Sequence, residues 1–211
     1  MVFFGKEIVR RQQNKIMLNH NLEILLKNNL KEFSKKTHQE QRSVGDDLEE
    51  FTRKIIKKKY PEEFRPPKSK RSVDDFTLIF NHQEYCFDIK SHFIQKKTGF
   101  SMPNLISVKR LRDKIFNDNS KFLSYIFIDY TRDNDIVTIQ NVQIKFIWEL
   151  HWNILGIGAL GKGQLQIKNK NNPLQYTKIG KQKWIEIFRE KVREFYANEI
   201  IKIKKETEAW N

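Results

Sequence analysis

Cysteine is the scarcest reactive residue in this chain. Cys86 is the only one among 211 residues, which excludes an internal disulfide and every multi-cysteine zinc framework. A reducing, intracellular setting is the simplest reading. No apolar run approaches the roughly 20 residues that a membrane helix needs, so an integral membrane protein is not expected. The first residues, Met1 to Gln13, carry a very short apolar patch and no small-residue cleavage site, and do not read as a secretory signal. Acid is also in deficit: 26 Asp and Glu stand against 40 Lys and Arg, a formal charge of +14. Such an excess suits a polyanionic partner, because neutralising phosphates releases condensed counterions. Membrane-surface binding would use the same charge, but through a cationic amphipathic helix with an exposed apolar face. The helices here read as core helices, so nucleic acid is the expected partner. At 38% hydrophobic and 12% aromatic, the chain can pack one core, and a single domain over 1–211 is expected.

Residues 7 to about 37 read as a helix through Leu18, Leu22, Leu25, Leu26 and Phe33. The segment 1–42 is an N-terminal helical piece and a candidate dimer contact; 43–211 is the expected core. Gly45-Asp46-Asp47 is predicted to open a second helix, with Leu48, Phe51, Ile55 and Ile56 on one face and acids in its first turn. That helix ends in Lys57-Lys58-Lys59, read as a solvated end, before Pro61, Pro66 and Pro67 enforce a loop. Phe76 to Phe80, Asn81-His82-Gln83 and Glu84 to Lys90 read as strand, tight turn and strand. Asn104 to Phe116 is predicted helical, and Phe122 to Tyr130 is an apolar run expected of a strand buried on both faces. A turn at Asp133 to Asp135 leads to a strand from Ile136. Gln164 to Lys168 alternates like an edge strand, and Gln182 to about Lys205 is a helix burying Trp184, Ile187, Phe188, Phe195 and Tyr196. This order implies an α/β fold, a central mixed sheet flanked by helices.

The most informative segment runs from Asp74 to Lys90. Side chains alternate along a strand, so Asp88 and Lys90 point one way and Ile89 the other. A carboxylate from the preceding strand would complete a hard-oxygen site suited to Mg²⁺. A lysine beside it can orient the attacking water, and the metal can stabilise charge on a phosphoryl oxygen. By chance, roughly three or four acids in such a lysine-rich chain would have Lys two places on. Asp88 is the only one that does. A solvent-facing Asp–Lys pair on an edge strand is the bland alternative, and both readings stand at this point.

Other segments carry less. Half of the eight glycines, Gly156, Gly158, Gly161 and Gly163, crowd one stretch near 156–169. Gly156 to Gly161 matches the spacing of a dinucleotide loop, but no strand-to-helix unit surrounds it, so no nucleotide cofactor is expected. A loop approaching DNA, with Lys162 meeting a phosphate, is the preferred reading. Gln164 and Gln166 share a strand face and have amides suited to adenine edges, with solvated polar residues as the alternative. Lys96-Lys97 are candidate phosphate contacts. His82, His92 and His151 show no metal-ligand spacing, and Trp148 and Trp152 read as core or dimer contacts.

Asp75-Phe76-Thr77-Leu78 followed by Phe87-Asp88-Ile89-Lys90 resembles the PD-(D/E)xK nuclease signature, in the form found in type II restriction endonucleases of the EcoRV, HincII and SwaI group. Gly45 to Glu49 is similar to their upstream helix. Met102 to Ser107 resembles the DNA-contacting segment after the catalytic lysine. Gln164 to Lys168, with the aromatic helix from Trp184, resembles their C-terminal part. Asp74 replaces the leading proline, which leaves Asp74 and Asp75 as alternative ligands; the strand alignment favours Asp75. The resemblance implies a Mg²⁺-dependent endonuclease, cytoplasmic in a prokaryotic-type cell, that cuts double-stranded DNA at a short palindrome as a homodimer, with blunt ends. It implies Asp75, Asp88 and the Ile89 backbone carbonyl as metal ligands and Lys90 as the residue placing the attacking water. Glu49 becomes an outer-shell or second-metal residue, or else a helix-dipole acid. Ser101, Asn104 and Lys168 join Lys96, Lys97, Lys162, Gln164 and Gln166 as expected DNA contacts.

Overall fold

Leucines at 22, 26 and 30 lie one helical turn apart and are fully buried, and they define the inner face of helix α1, residues 17–29. The computed structural model describes residues 17–33, 41–69, 72–94, 104–118, 120–133, 136–158, 163–168 and 174–210. Of the long N-terminal helix expected from the sequence, residues 7–16 and 34–37 lie outside these. The described part tightens to a 3₁₀ turn at Leu30–Glu32 and ends there.

The chain gathers into two compact units, Met1–Lys97 with Leu123–Lys145, and Thr98–Phe122 with Phe146–Asn211. The first holds α1, α2 (Gln41–Lys59) and a five-stranded sheet, ordered β1 (Phe64–Arg65), β2 (Phe76–Phe80), β3 (Gln83–Phe93), β5 (Lys121–Asp133) and β6 (Ile136–Phe146). Strand β2 pairs antiparallel with both β1 and β3. The β2–β3 turn is the two residues Asn81-His82, both at positive φ (48° and 60°), the conformation of a type I′ hairpin. His92 faces Asp129 and Phe93 stacks on Tyr130, and this constant offset of 37 residues runs β3 and β5 parallel. The sheet is therefore mixed, as the pattern of elements implied.

Helix α1 is tied to the sheet by Asn19, whose amide donates to Ser124 Oγ at 3.1 Å, and by Glu23, which accepts from the Ile144 backbone N–H at 3.0 Å. Helix α2 starts at Gln41, earlier than the Gly45 start expected, so Gly45 lies inside it and its first turn holds no acid. Gly45 is there for room: a Cβ would come within 2.9 Å of Ser91 Oγ on β3. Phe64, Phe76 and Phe87 stack in series across three strands, at 5.6 and 4.9 Å. Lys57, Lys58 and Lys59 are exposed at the end of α2.

The second unit holds a three-stranded sheet, ordered β4 (Asn104–Ser107), β8 (Gln164–Ile167) and β7 (Leu155–Gly158), with the short helix α3 (Val108–Leu111) and the long α4 (Lys181–Glu208). Two expectations are corrected here. Residues 104–107 form a strand, and the helix begins only at Val108, where Ser107 Oγ accepts from the Arg110 N–H. Strand β8 is the middle of its sheet, bonded on both sides, although its alternation resembled an edge. The core of this unit is aromatic: Trp184 is fully buried, stacks on Phe188 at 5.9 Å, packs tilted against Trp152 at 4.6 Å, and meets Phe116 edge-on. On α4, Ile187 is only half-buried, as is Phe195, while Tyr196 is 39% exposed, so the expected buried face fades beyond Phe188. Among the described residues no helix is long and apolar enough to cross a membrane.

Candidate active site

The β2–β3 hairpin brings the acids together. Its paired register ends with Phe76 opposite Phe87. Just before it the Asp75 N–H donates to the Phe87 carbonyl at 2.8 Å, an off-register bond, so the chain is irregular at Asp75. The two carboxylates nonetheless meet, joined by a side-chain hydrogen bond between Asp75 and Asp88. Asp75 Oδ2 accepts from the Ile89 N–H at 2.6 Å. In an extended residue N–H and C=O leave by the same strand edge, which aims the Ile89 carbonyl toward Asp75 as well.

Lys90 follows on the same face and donates from Nζ to Asp88 Oδ1 at 2.8 Å. Asp88 is not the solvated edge residue of the bland reading: it is 8% exposed on an interior strand. Its carboxyl is pushed up to about 8, chiefly by burial and further by the Asp75 charge, against the opposing pull of Lys90. Asp74 is occupied elsewhere, accepting from Ser72 Oγ at 2.7 Å and Thr77 Oγ1 at 2.6 Å. Of the two candidates, Asp75 is the one whose carboxylate lies beside Asp88.

Glu49, on α2, lies half-buried with its carboxyl raised, first by burial and then by the Asp75 charge; Arg53 and Lys90 pull it back. Arg53 pairs with it at 3.0 Å. Asp46 adds to the same field, so four carboxylates stand against Lys90 and Arg53. Such a deficit of positive charge around buried oxygens suits a divalent cation. Among the described residues no cluster of three or more His, Cys, Asp and Glu side chains stands at metal-holding distance. Two carboxylates and a backbone carbonyl present oxygens of the kind that Mg²⁺ takes while retaining several of its waters.

Two side chains near this face escaped the sequence reading. Tyr125 on β5 is fully buried and its hydroxyl meets no hydrogen-bond partner among the described residues. Asp129 Oδ1 is hydrogen-bonded with His92 Nδ1 at 3.1 Å, and its Oδ2 accepts from Asn141 Nδ2 at 3.3 Å. The only local hint was polar atoms inside an otherwise apolar run.

The DNA-contact candidates divide. Lys96, Lys97, Ser101 and Lys162 lie outside the described residues, as does the segment 159–162 of the expected glycine loop. Gly156 and Gly158 belong to strand β7, which corrects the reading of 156–158 as loop. Asn104 and Gln166 meet across β4 and β8, Gln166 Nε2 donating to Asn104 Oδ1 at 2.6 Å. Gln164 lies on the same face two residues away, and Lys168, beyond the strand end, is exposed. The glycines make room for these side chains. A Cβ on Gly156 would meet the Lys168 stem at 3.0 Å, and one on Gly158 would fall 2.5 Å from Gln166 Oε1. Gly158→Ala should therefore displace the Gln166 amide at little cost in stability, because only a flexible side-chain end has to move. The expected result is an unchanged melting temperature with weakened DNA binding, read by thermal unfolding and gel shift. Unchanged binding would show that Gln166 does not touch DNA.

The five-stranded mixed sheet with its flanking helices is similar in fold to a restriction endonuclease. The NlaIV restriction endonuclease is a solved structure of this kind: the two align with a TM-score of 0.56 and 15% sequence identity, over 83% of this chain and 78% of that one. At that identity the likeness is one of fold. No protein-family model and no curated protein matches the chain. The fold comparison supports the broad class and leaves the narrower grouping with EcoRV, HincII and SwaI as a sequence resemblance.

Proposed function

We propose that this protein is a Mg²⁺-dependent type II restriction endonuclease that cuts double-stranded DNA at a short palindrome, as a homodimer and with blunt ends. The observation that carries the reading is the convergence of Asp75, Asp88 and Lys90 on one sheet face, with Glu49 within their field. The likeness to a restriction endonuclease fold supports it. In this reading Asp75, Asp88 and the Ile89 carbonyl hold the cation. When bound, Mg²⁺ supplies charge neutralisation at the scissile phosphate and makes water a better nucleophile. Lys90, anchored on Asp88, orients the attacking water and donates toward the phosphate. Glu49 acts from α2 as an outer acceptor. Asn104, Gln164 and Gln166 form a polar strip able to pair with base edges, and the net charge of +14 draws the protein to the phosphate backbone.

The test is digestion of a long, fully sequenced duplex by purified protein with Mg²⁺, followed by mapping of the ends. Discrete fragments sharing one palindrome at flush ends are expected. Smeared products or preference for branched DNA would point to a structure-specific or repair nuclease of the same fold. Salt-sensitive binding with no cleavage in Mg²⁺ or Mn²⁺ would reduce the protein to a basic nucleic-acid-binding module.

A further inference from the structure

Tyr125 is the buried polar side chain that the proposed mechanism leaves unused. The β3–β5 offset that pairs His92 with Asp129 and Phe93 with Tyr130 places Tyr125 level with Asp88, on the face that carries the carboxylates. The residue is wholly buried, yet its hydroxyl has no hydrogen-bond partner among the described residues. Phenylalanine would fill the same volume without the cost of a desolvated, unpaired hydroxyl. The charges of both Asp88 and Asp75 act on the phenol, which sets it beside the carboxylate pair. A tyrosine hydroxyl is a donor, and this one has no acceptor among the described residues. Thr52 Oγ1 and Trp152 Nε1 are also buried without a partner among the described residues.

We propose that Tyr125 is a positioning residue of the carboxylate site, its hydroxyl donating a hydrogen bond to a water oxygen that enters with the divalent cation. This rests on the cation-dependent reading given above. Partners of this outer kind fix the orientation of the groups that touch a metal, and losing one weakens metal affinity or activity by about 10–100-fold. The hydroxyl also explains itself in this way: its desolvation is repaid only when the site is loaded.

The experiment compares the full-length protein with its Tyr125→Phe variant in thermal unfolding, first without divalent cation and then across a Ca²⁺ titration. Cation-free melting temperatures are expected to agree, or the variant to melt slightly higher. The Ca²⁺ concentration giving half of the stabilisation should rise about tenfold or more. With Mg²⁺ and DNA, kcat should fall by a similar factor while KM stays unchanged. A variant with unaltered Ca²⁺ dependence and kcat overturns the inference alone. So does a clear drop in the cation-free melting temperature, which would show that the hydroxyl already has a partner. A wild-type protein that gains no stability from Ca²⁺ overturns the cation-dependent reading, and this inference with it.

Discussion

Asp88→Asn is expected to abolish DNA cleavage while raising the melting temperature of the cation-free protein at pH 8. The carboxyl is buried next to Asp75, and the folded protein favours its neutral form, with a pKa of about 8 against the usual 3.8. The sign follows from linkage. Below about pH 4 the group is neutral in both folded and unfolded chains and contributes no penalty. Between there and about pH 8 the unfolded chain ionises while the folded one resists, so the folded state loses stability as pH rises. Above about 8 both are ionised and the loss is constant. Asparagine is neutral throughout, so its advantage over Asp88 should grow from pH 4 to pH 8 and then level. A gain of about 1–3 kcal/mol is the expected scale, because the Lys90 ion pair offsets part of the burial cost. At ~2–4 °C per kcal/mol this is a shift of several degrees. Adding Mg²⁺ should reverse the order, since only the wild-type protein gains from binding. A variant melting below wild type at pH 8 would show that the bond to Lys90 outweighs burial.

The largest loss of stability should come from Trp184→Ala. This indole is fully buried, stacks against Phe188, packs tilted against Trp152, meets Phe116 edge-on, and donates from Nε1 to the Leu150 carbonyl at 2.8 Å. Truncation leaves a cavity and an unpaired carbonyl together, which costs about 3–5 kcal/mol for the cavity alone. The melting temperature should fall by roughly 10 °C or more. Trp184→Phe should lie between, regaining most of the packing without the hydrogen bond. Urea titration of the three proteins reads the difference; a loss below about 1 kcal/mol for alanine would mean that the cluster closes around the gap.

Local pattern and long-range pairing explain what could be read from the sequence. The β2–β3 hairpin was legible because alternation and a two-residue turn are both local, and Asp88 and Lys90 fell on one face for the same reason. The twofold burial of β5 was legible from its unbroken apolar run. Strand β4 was not: Leu105 and Val108 stand at helical spacing, and the segment is extended because β8, distant in sequence, bonds to it. Alternation in β8 reported that one face is polar, but not that both edges are paired. The early start of α2 was hidden because Gly45 resembles a helix boundary, while its real duty is to clear Ser91. The level placement of Tyr125 and Asp88 depends on a parallel pairing that no local pattern encodes.

The Asn81-His82 turn lies at the far end of the hairpin from the acids and touches neither of them, yet it acts as their gauge block. It fixes which residue of β2 meets which residue of β3, pair by pair, down to Phe76 and Phe87 beside the acids. A slip of the pairing by a single residue would present Ile89 where Asp88 now stands and turn Asp88 and Lys90 to the opposite face. The spacing along the chain is thus as much a part of the chemistry as the carboxylates are. The charged face of the hairpin would become an apolar one without any change in composition.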